Sequence, residues 1–539
     1  MSILDQLKSI AEKRILILDG AMGSMIQSLD FHEKDFRTER FASHTTPLNG
    51  CNDLLCLVKP DEIGSIHNAY LQAGADIIET CSFNSTSISL SDYGLGEMAY
   101  EISEAAAKIA RKSADKFSTP DKPRFVAGSI GPTAKGASLY PDINNPGKRS
   151  ISWDELEAAY YDNARGLLDG GVDILIIETV FDTLNAKAAL FAVSRLLEER
   201  RANVPVIISA AVSGDSARLL SGQSLEAFCV SVQHAAFPNG SAPFAVGVNC
   251  SFSAEKLLPI VRRLSEAVPC FVSVYPNAGL PNRFGRYEET PQIMSANIEN
   301  YFKEGLVNIA GGCCGSTPDH IAQIAKKAQG YKPRSLPALS GVFYSGFDIL
   351  RIENNTVRIN NADNAAEEEF FDSIEKGEYE DAVDTARDIV DNGAPVVNFK
   401  TNNEESARKF LDFALMNPYV AKAPFVINSP HFKIIEASLK RLQGRSIAGP
   451  VSLKDGEEAE FLRKAELILH YGAAVLITLT AENEQTDTAE QKIELAQRIY
   501  SLLQKNNYPA GNIVFEIPPG QIQICDRLRD NCLGAVLAV

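Results

Sequence analysis

Gly170-Gly171-Val172-Asp173-Ile174-Leu175-Ile176-Ile177-Glu178 decides the fold. A helical pattern that begins near Trp153 runs into the two glycines, and four uninterrupted aliphatics follow them. Glycine reaches the left-handed conformation that closes a helix, so the stretch reads as an αβ loop. An apolar run without alternation suits a parallel strand buried on both faces. The same phrase recurs at Ala73-Gly74-Ala75-Asp76 before Ile77-Ile78, and at Glu304-Gly305 before Leu306-Val307. It returns at Asn392-Gly393 before Val396-Val397 and at Tyr471-Gly472 before Val475-Leu476-Ile477.

Working outward, eight strands are expected in the first part: Ile15–Asp19, Ile77–Ser82, Phe125–Ser129, Ile174–Thr179, Val206–Ala211, Ala245–Cys250, Phe271–Tyr275 and Val307–Gly311. Helical patterns separate them, as in Asp61–Ala73, Gly96–Ala114 and Trp153–Leu168. Eight βα units in about 325 residues are what a (β/α)8 barrel needs. A doubly wound open sheet usually has fewer strands, and no G-x-G-x-x-G turn follows the first one here. Lys332-Pro333-Arg334-Ser335-Leu336-Pro337 then breaks the pattern. The expected organisation is a barrel over 1–329, a linker over 330–345 and a second α/β series over 346–539. Strands of the second series are expected at Val357–Asn360, Val396–Phe399, Phe425–Asn428, Ile447–Val451, Val475–Leu479, Ile513–Glu516 and Ala535–Val539. Seven strands fall short of a full ring, so the second barrel is expected to be shortened or degenerate.

The 539 residues are 45% hydrophobic and 22% charged, which excludes disordered, collagenous and disulfide-scaffold classes. Fifty-two basic residues against 69 acidic ones give a net charge of −17, with no basic stripe. Nucleic acid and an anionic membrane surface are therefore not expected partners. Met1–Arg14 is amphipathic and charged without an apolar core, so no secretory signal is visible. No run approaches the ~18 apolar residues of a membrane span. Ten cysteines in this setting suggest free thiols in a reducing cytoplasm. Clustered cysteines then become metal or catalytic candidates.

Three cysteines cluster by topology. Cys250 ends the sixth expected strand, and Cys313 and Cys314 follow the eighth in Gly311-Gly312-Cys313-Cys314-Gly315. Both positions lie on the C-terminal rim, where barrels carry their chemistry. Three soft thiolates with a vacant fourth position make a catalytic zinc site, since a structural zinc takes a fourth protein ligand. The glycines let adjacent cysteines both turn toward the ion. Cys81, Cys229, Cys270, Cys525 and Cys532 read as small buried hydrophobes, their commonest role. Cys51 and Cys56 read the same way, because no further ligands gather near that C-x4-C pair.

Gly-Gly-Cys-Cys-Gly after a strand, with Val248-Asn249-Cys250 upstream, resembles the homocysteine S-methyltransferase family. Asp19-Gly20-Ala21-Met22-Gly23-Ser24, Glu178-Thr179-Val180-Phe181-Asp182-Thr183 and Pro276-Asn277-Ala278-Gly279-Leu280-Pro281-Asn282 are similar to its other signatures. Within the family the chain is most similar to the homocysteine and folate modules forming the N-terminal half of cobalamin-dependent methionine synthases. That resemblance implies a homocysteine S-methyltransferase that makes methionine. It implies that homocysteine binds zinc as a thiolate and attacks an electrophilic methyl group. It also implies that Asp19 and Glu178 hold the substrate's ammonium group.

The stretch 357–516 resembles a pterin-binding barrel. Phe371–Asn392, Tyr471-Gly472-Ala473-Ala474-Val475 and Asp487-Thr488 match its helices and loops. Its ligand positions match poorly. The family's Gly-Glu-Arg-Thr-Asn run stands here as Asn360-Asn361-Ala362-Asp363-Asn364. Other ligand positions read Asn398-Phe399-Lys400-Thr401-Asn402, Asn428-Ser429-Pro430 and Glu516-Ile517-Pro518-Pro519. A pterin ring N–H pair is read by a carboxylate, and an asparagine supplies only one acceptor. Weak or no binding of methyltetrahydrofolate is expected.

The family's cobalamin module uses Asp-x-His-x-x-Gly. Of the seven histidines only Asp30-Phe31-His32-Glu33-Lys34-Asp35 comes near, and it ends in Asp. Methylcobalamin, if it is the donor, is expected in trans on a corrinoid protein or module. Two alternatives stay open: a small donor such as S-methylmethionine or betaine, and a non-catalytic zinc- and thiol-binding module.

Overall fold

The computed structural model describes residues 2–142, 145, 147–214, 216–234, 237, 242–338, 341–359, 364–454, 456–479, 488–517, 527–528, 532 and 534–538, the side chains of 364–366 excepted. Eight parallel strands form the first sheet: β1 (Leu16–Ile17), β2 (Ile77–Glu79), β3 (Phe125–Ile130), β4 (Ile174–Val180), β5 (Val206–Ala210), β6 (Ala245–Ser253), β7 (Phe271–Asn277) and β8 (Ile309–Ala310). Each pairs with the next in sequence from β2 to β8. β1 pairs with β8 in the register Leu16↔Ile309, and a parallel bridge Leu18↔Ile77 closes the ring.

Strand residues without sequence alternation still alternate in what they touch. Ile174 and Ile176 join the cluster inside the ring with Leu16, Ile77, Ile207 and Ile309. Leu175 and Ile177 join the cluster shared with the surrounding helices. Both faces are apolar environments, so the sequence needs no polar residue at every second position. Helix Ile3–Ala11 starts on a capping box of Ser2 and Asp5 and sends Leu7 and Ala11 into the inner cluster. Gly74, Gly171, Gly305, Gly393 and Gly472, the glycines read as helix closures, all take positive φ.

A second sheet holds β11 (Thr356–Val357), β12 (Val397–Lys400), β13 (Phe425–Asn428), β14 (Ile447–Val451), β15 (Ala474–Thr478), β16 (Ile513–Glu516) and β17 (Val536–Ala538). All neighbours are parallel, and β11 pairs with β17. Among the described residues no ladder joins β11 to β12, so the second unit is a seven-stranded part-barrel. An antiparallel hairpin, β9 (Val342–Ser345) and β10 (Ile349–Ile352), packs Tyr344 and Ile352 into its inner cluster. β9 falls at the end of the stretch expected as linker. Earlier in that stretch, Arg334 is buried and donates to the carbonyls of Ser265, Val268 and Cys270.

The two units pack tightly. Lys187 of the first is fully buried and donates to the Leu442 and Gly444 carbonyls of the second at 2.8 and 3.1 Å. Phe191 stacks on Tyr471 with centroids 4.7 Å apart. Among the described residues, no helix is long and apolar enough to cross a membrane.

Candidate active site

The site sits where strands β1, β2, β4, β6 and β8 end. At β6 the pairing with β7 slips between Asn249 and Ser253, and Cys250 takes a φ of +60°. Such a kink in a non-glycine residue persists only when its surroundings hold it. Asn249 does much of that holding. Its Oδ1 accepts from Thr179 N at 3.1 Å and Ser209 Oγ at 2.7 Å, and its Nδ2 donates to Thr179 Oγ1 at 2.7 Å. Asn277 Nδ2 donates to the Cys250 carbonyl from the neighbouring strand. The kink aims Cys250 back across the mouth.

The loop after β8 is pinned on every side. Cys313 N donates to Pro276 O at 2.7 Å, Ala278 N to Cys314 O at 2.9 Å, and Gly315 N to Ser24 Oγ at 2.9 Å. Gly315 has a φ of +81°, and a Cβ there would lie 2.2 Å from Tyr287 Cβ. Only glycine allows that turn under the tyrosine.

Cys250 Sγ and Cys314 Sγ are 3.6 Å apart, and the three sulfurs of Cys250, Cys313 and Cys314 lie within 4.8 Å of one another. No further His, Cys or carboxylate joins the group among the described residues. Thiol hydrogens from Cys250 and Cys313 directed at Cys314 hold its pKa down, at about 3. Cys313 is pushed well up, because it shares its hydrogen with Cys250 and Cys314 and is buried. Three soft donors at this spacing with one side open fit a tetrahedral metal that keeps a vacant position.

A cavity of about 590 Å³ opens beside the sulfurs. Its wall includes all three cysteines, Glu79 and Glu178. Glu178 is buried, accepts from Ser129 Oγ at 2.5 Å, and is lifted by burial to about 7. Glu79 ends β2, and its Oε1 is buried with no hydrogen-bond partner. Burial, then the charges of Glu178 and Asp19, push its pKa well up. Asp19 lies behind Glu79 rather than on the cavity wall: its Oδ2 accepts from Glu79 N at 3.1 Å, and its Oδ1 has no partner. Burial and then Glu178 raise its pKa too. Asp19 and Glu79 each keep a carboxylate oxygen with no partner, and with Glu178 beside them they make a pocket that welcomes a cation.

Glu79 is the residue that motif matching misses. The available signal was its position, an acid directly after Ile77-Ile78 at a strand end, which is the grammar that singled out Glu178. The near-match around His32 is a helix start. His32 Nδ1 contacts Asp30 O, and Asp35 accepts from His32 N at 2.9 Å. Cys51, Cys56 and Cys81 are buried, and Cys56 Sγ donates to Cys81 O at 3.3 Å. Cys229 and Cys532 are buried and Cys270 is half-buried, whereas Cys525 lies outside the described residues.

At the mouth of the second unit, Asn398 is buried and donates weakly to Glu367 at 3.4 Å, leaving its Oδ1 without a partner. Lys400 stands exposed at the end of β12. Residues 360–363 and 518–519, two of the poorly matching ligand runs, lie outside the described residues, as does the side chain of Asn364.

Two protein-family models match, one over each unit. Residues 362–516 match the family of pterin binding enzymes. Similar solved structures include the Escherichia coli homocysteine methyltransferase MmuM in its metallated form, 22% identical, with 60% of this chain and 100% of that chain covered at a TM-score of 0.46. Its oxidised form is 23% identical, with 61% and 100% covered at a TM-score of 0.47. A putative phosphonomutase from Burkholderia cenocepacia is 11% identical, with 57% and 92% covered at a TM-score of 0.30. Residues 16–328, more than half of the chain, match the homocysteine S-methyltransferase family, and the protein is a member of that family, a methyltransferase acting on homocysteine.

Proposed function

We propose that the protein transfers a methyl group to the sulfur of homocysteine, giving methionine, with zinc held by Cys250, Cys313 and Cys314. The observation that carries this reading is that three sulfurs within 4.8 Å of one another share one cavity with buried carboxylates. Zinc bound by three thiolates supplies a Lewis acid at which a fourth sulfur loses its proton near neutral pH. Glu178 and Glu79 take the ammonium group of homocysteine, and Asp19 supports Glu79 from behind through its N–H. In the transfer, a sulfur–methyl bond forms as the donor–methyl bond breaks, and the thiol proton has already left to solvent. The barrel over 1–329 performs this chemistry, and the unit over 346–539, joined through 330–345, is a pterin-binding relative. The methyl donor is methylcobalamin carried in trans by a corrinoid protein or module. A site built on free thiols suits a reducing cytoplasm.

A second reading is favoured by the cavity itself. About 590 Å³ leaves room beside homocysteine for a small donor, and Asp30, Phe31 and Phe83 on the wall suit a cationic one such as S-methylmethionine or betaine. A donor screen separates the readings. Zinc-loaded protein and homocysteine are offered free methylcobalamin, methyltetrahydrofolate with cobalamin, S-methylmethionine and betaine, and methionine is measured. Methionine from methylcobalamin supports the first reading. Methionine only from a sulfonium or betaine supports the second. No methionine from any donor leaves a zinc- and thiol-binding module.

A further inference from the structure

A second cavity lies in the cleft between the two units, away from the cysteines. It has a volume of about 550 Å³ and is lined by Arg149 from the first unit and by Arg408, Lys440 and Arg441 from the second. Folding has crowded three arginines, Arg149, Arg408 and Arg441, around one buried carboxylate, Asp412. Arg149 Nη2 and Arg441 Nη1 both donate to the same oxygen, Asp412 Oδ1, at 3.1 and 2.8 Å. Asp412 is 4% exposed, and Arg441 lies in the field of both Arg149 and Arg408. Arg408 is exposed and makes no hydrogen bond or ion pair among the described residues. Arg149 is held in place from its other side by the Ser138 carbonyl at 3.1 Å and by the Tyr140 ring, 4.1 Å beneath it.

Two carboxylates also line the cleft, and each is already engaged. Asp154 pairs with Lys440 at 2.9 Å, and Lys440 also pairs with Glu436 at 3.4 Å. Glu155 accepts from Ser152 N at 2.9 Å and Ser152 Oγ at 2.7 Å, as the cap of helix Trp153–Asp169. The first turn of that helix faces the same cavity, which adds its positive dipole end. Like-charged guanidinium groups brought together in a partly desolvated cleft call for an anion, and planar Arg forks match a phosphoryl group in particular.

We infer that the cleft between the two units is a binding site for a phosphoryl dianion, taken either as free phosphate or as the phosphate of a small sugar ester. Such an anion touches both units at once, with Arg149 on one wall and Arg408 and Arg441 on the other. Its binding therefore ties the barrels together and stabilises the whole chain by mass action. The cavity has room beyond the phosphoryl group for a sugar.

The test uses the full chain and its single tryptophan, Trp153, which lines this cleft. Inorganic phosphate and ribose 5-phosphate are titrated separately while Trp153 fluorescence and the melting temperature are followed, against sodium chloride at matched ionic strength. The expected result is a saturable fluorescence change with a rise in melting temperature, absent with chloride. Tighter binding of ribose 5-phosphate identifies an ester as the ligand, and equal binding identifies free phosphate. Arg408→Ala removes an exposed side chain that holds nothing in the fold, and it is expected to weaken binding about tenfold or more. Neither signal with either probe, an equal response to chloride, or unchanged affinity in Arg408→Ala would overturn the assignment.

Discussion

Cys250 Sγ stands 3.6 Å from Cys314 Sγ, although 64 residues separate them along the chain. The contact exists because β6 and β8 end on one rim and because each cysteine sits on a backbone that its neighbours force into place. Cys313 completes the trio, and no other donor joins it among the described residues.

Cys313→Ala is therefore expected to lose both zinc retention and turnover. Metal content by mass spectrometry should fall from near stoichiometric to trace. Methionine formation should drop by more than about 100-fold, since even changes outside the first ligand ring cost up to that much. Zinc added to metal-free parent protein should also release protons, because thiol ligands bind as thiolates. Unchanged activity in the variant defeats the zinc reading.

Glu79→Gln tests the carboxylate that motif matching misses. An ammonium–carboxylate contact is worth about 1.5–3 kcal/mol, so KM for homocysteine should rise about 10- to 100-fold with a smaller change in kcat. The melting temperature should hold or rise, because the substitution removes a carboxylate charge that burial and the neighbouring Glu178 and Asp19 disfavour. A lower melting temperature with unchanged KM would show a purely structural residue.

Lys187 should make stability depend on alkaline pH. Burial lowers its pKa from 10.5 to about 7. Between those values the unfolded chain holds a proton that the folded chain lacks, so stability rises with pH across that window, and the burial penalty is fully present below it. The neutral amine still has two hydrogens, enough to keep both bonds to the Leu442 and Gly444 carbonyls after deprotonation. Urea unfolding from pH 7 to 10 should show a slope of up to about 1.4 kcal/mol per pH unit, and Lys187→Met should flatten it. Equal slopes in the two proteins would contradict this account.

Methyltetrahydrofolate should bind weakly or not at all. Asn398 presents a single amide oxygen within β12, and Lys400 at the end of that strand adds a cation. Calorimetry with the full chain should give no saturable heat in the micromolar range. A micromolar dissociation constant would mean that the substituted rim still reads a pterin.

Much of the architecture was legible in local chemistry. Glycine closures at Gly171 and Gly472 announce αβ loops because only glycine takes that φ without strain, and the aliphatic runs after them announce buried parallel strands. Cys250, Cys313 and Cys314 were legible because barrel topology turns strand number into position on a rim. The hairpin β9–β10 was not, since its short strands carry turn-like flanks and gain their stability from packing under the second ring.

The sequence by itself determined the order of the parallel strands, the two α/β units and the identity of the sulfur trio, because these follow from short-range backbone preference and from which strand each residue ends. Only the tertiary structure decided that Glu79 faces the cavity while Asp19 stands behind it, and that Arg149 and Arg441 meet on one oxygen of Asp412. Those relationships depend on distances between groups far apart in the chain, which are set by how whole strands and helices pack, and no local pattern of residues carries that information.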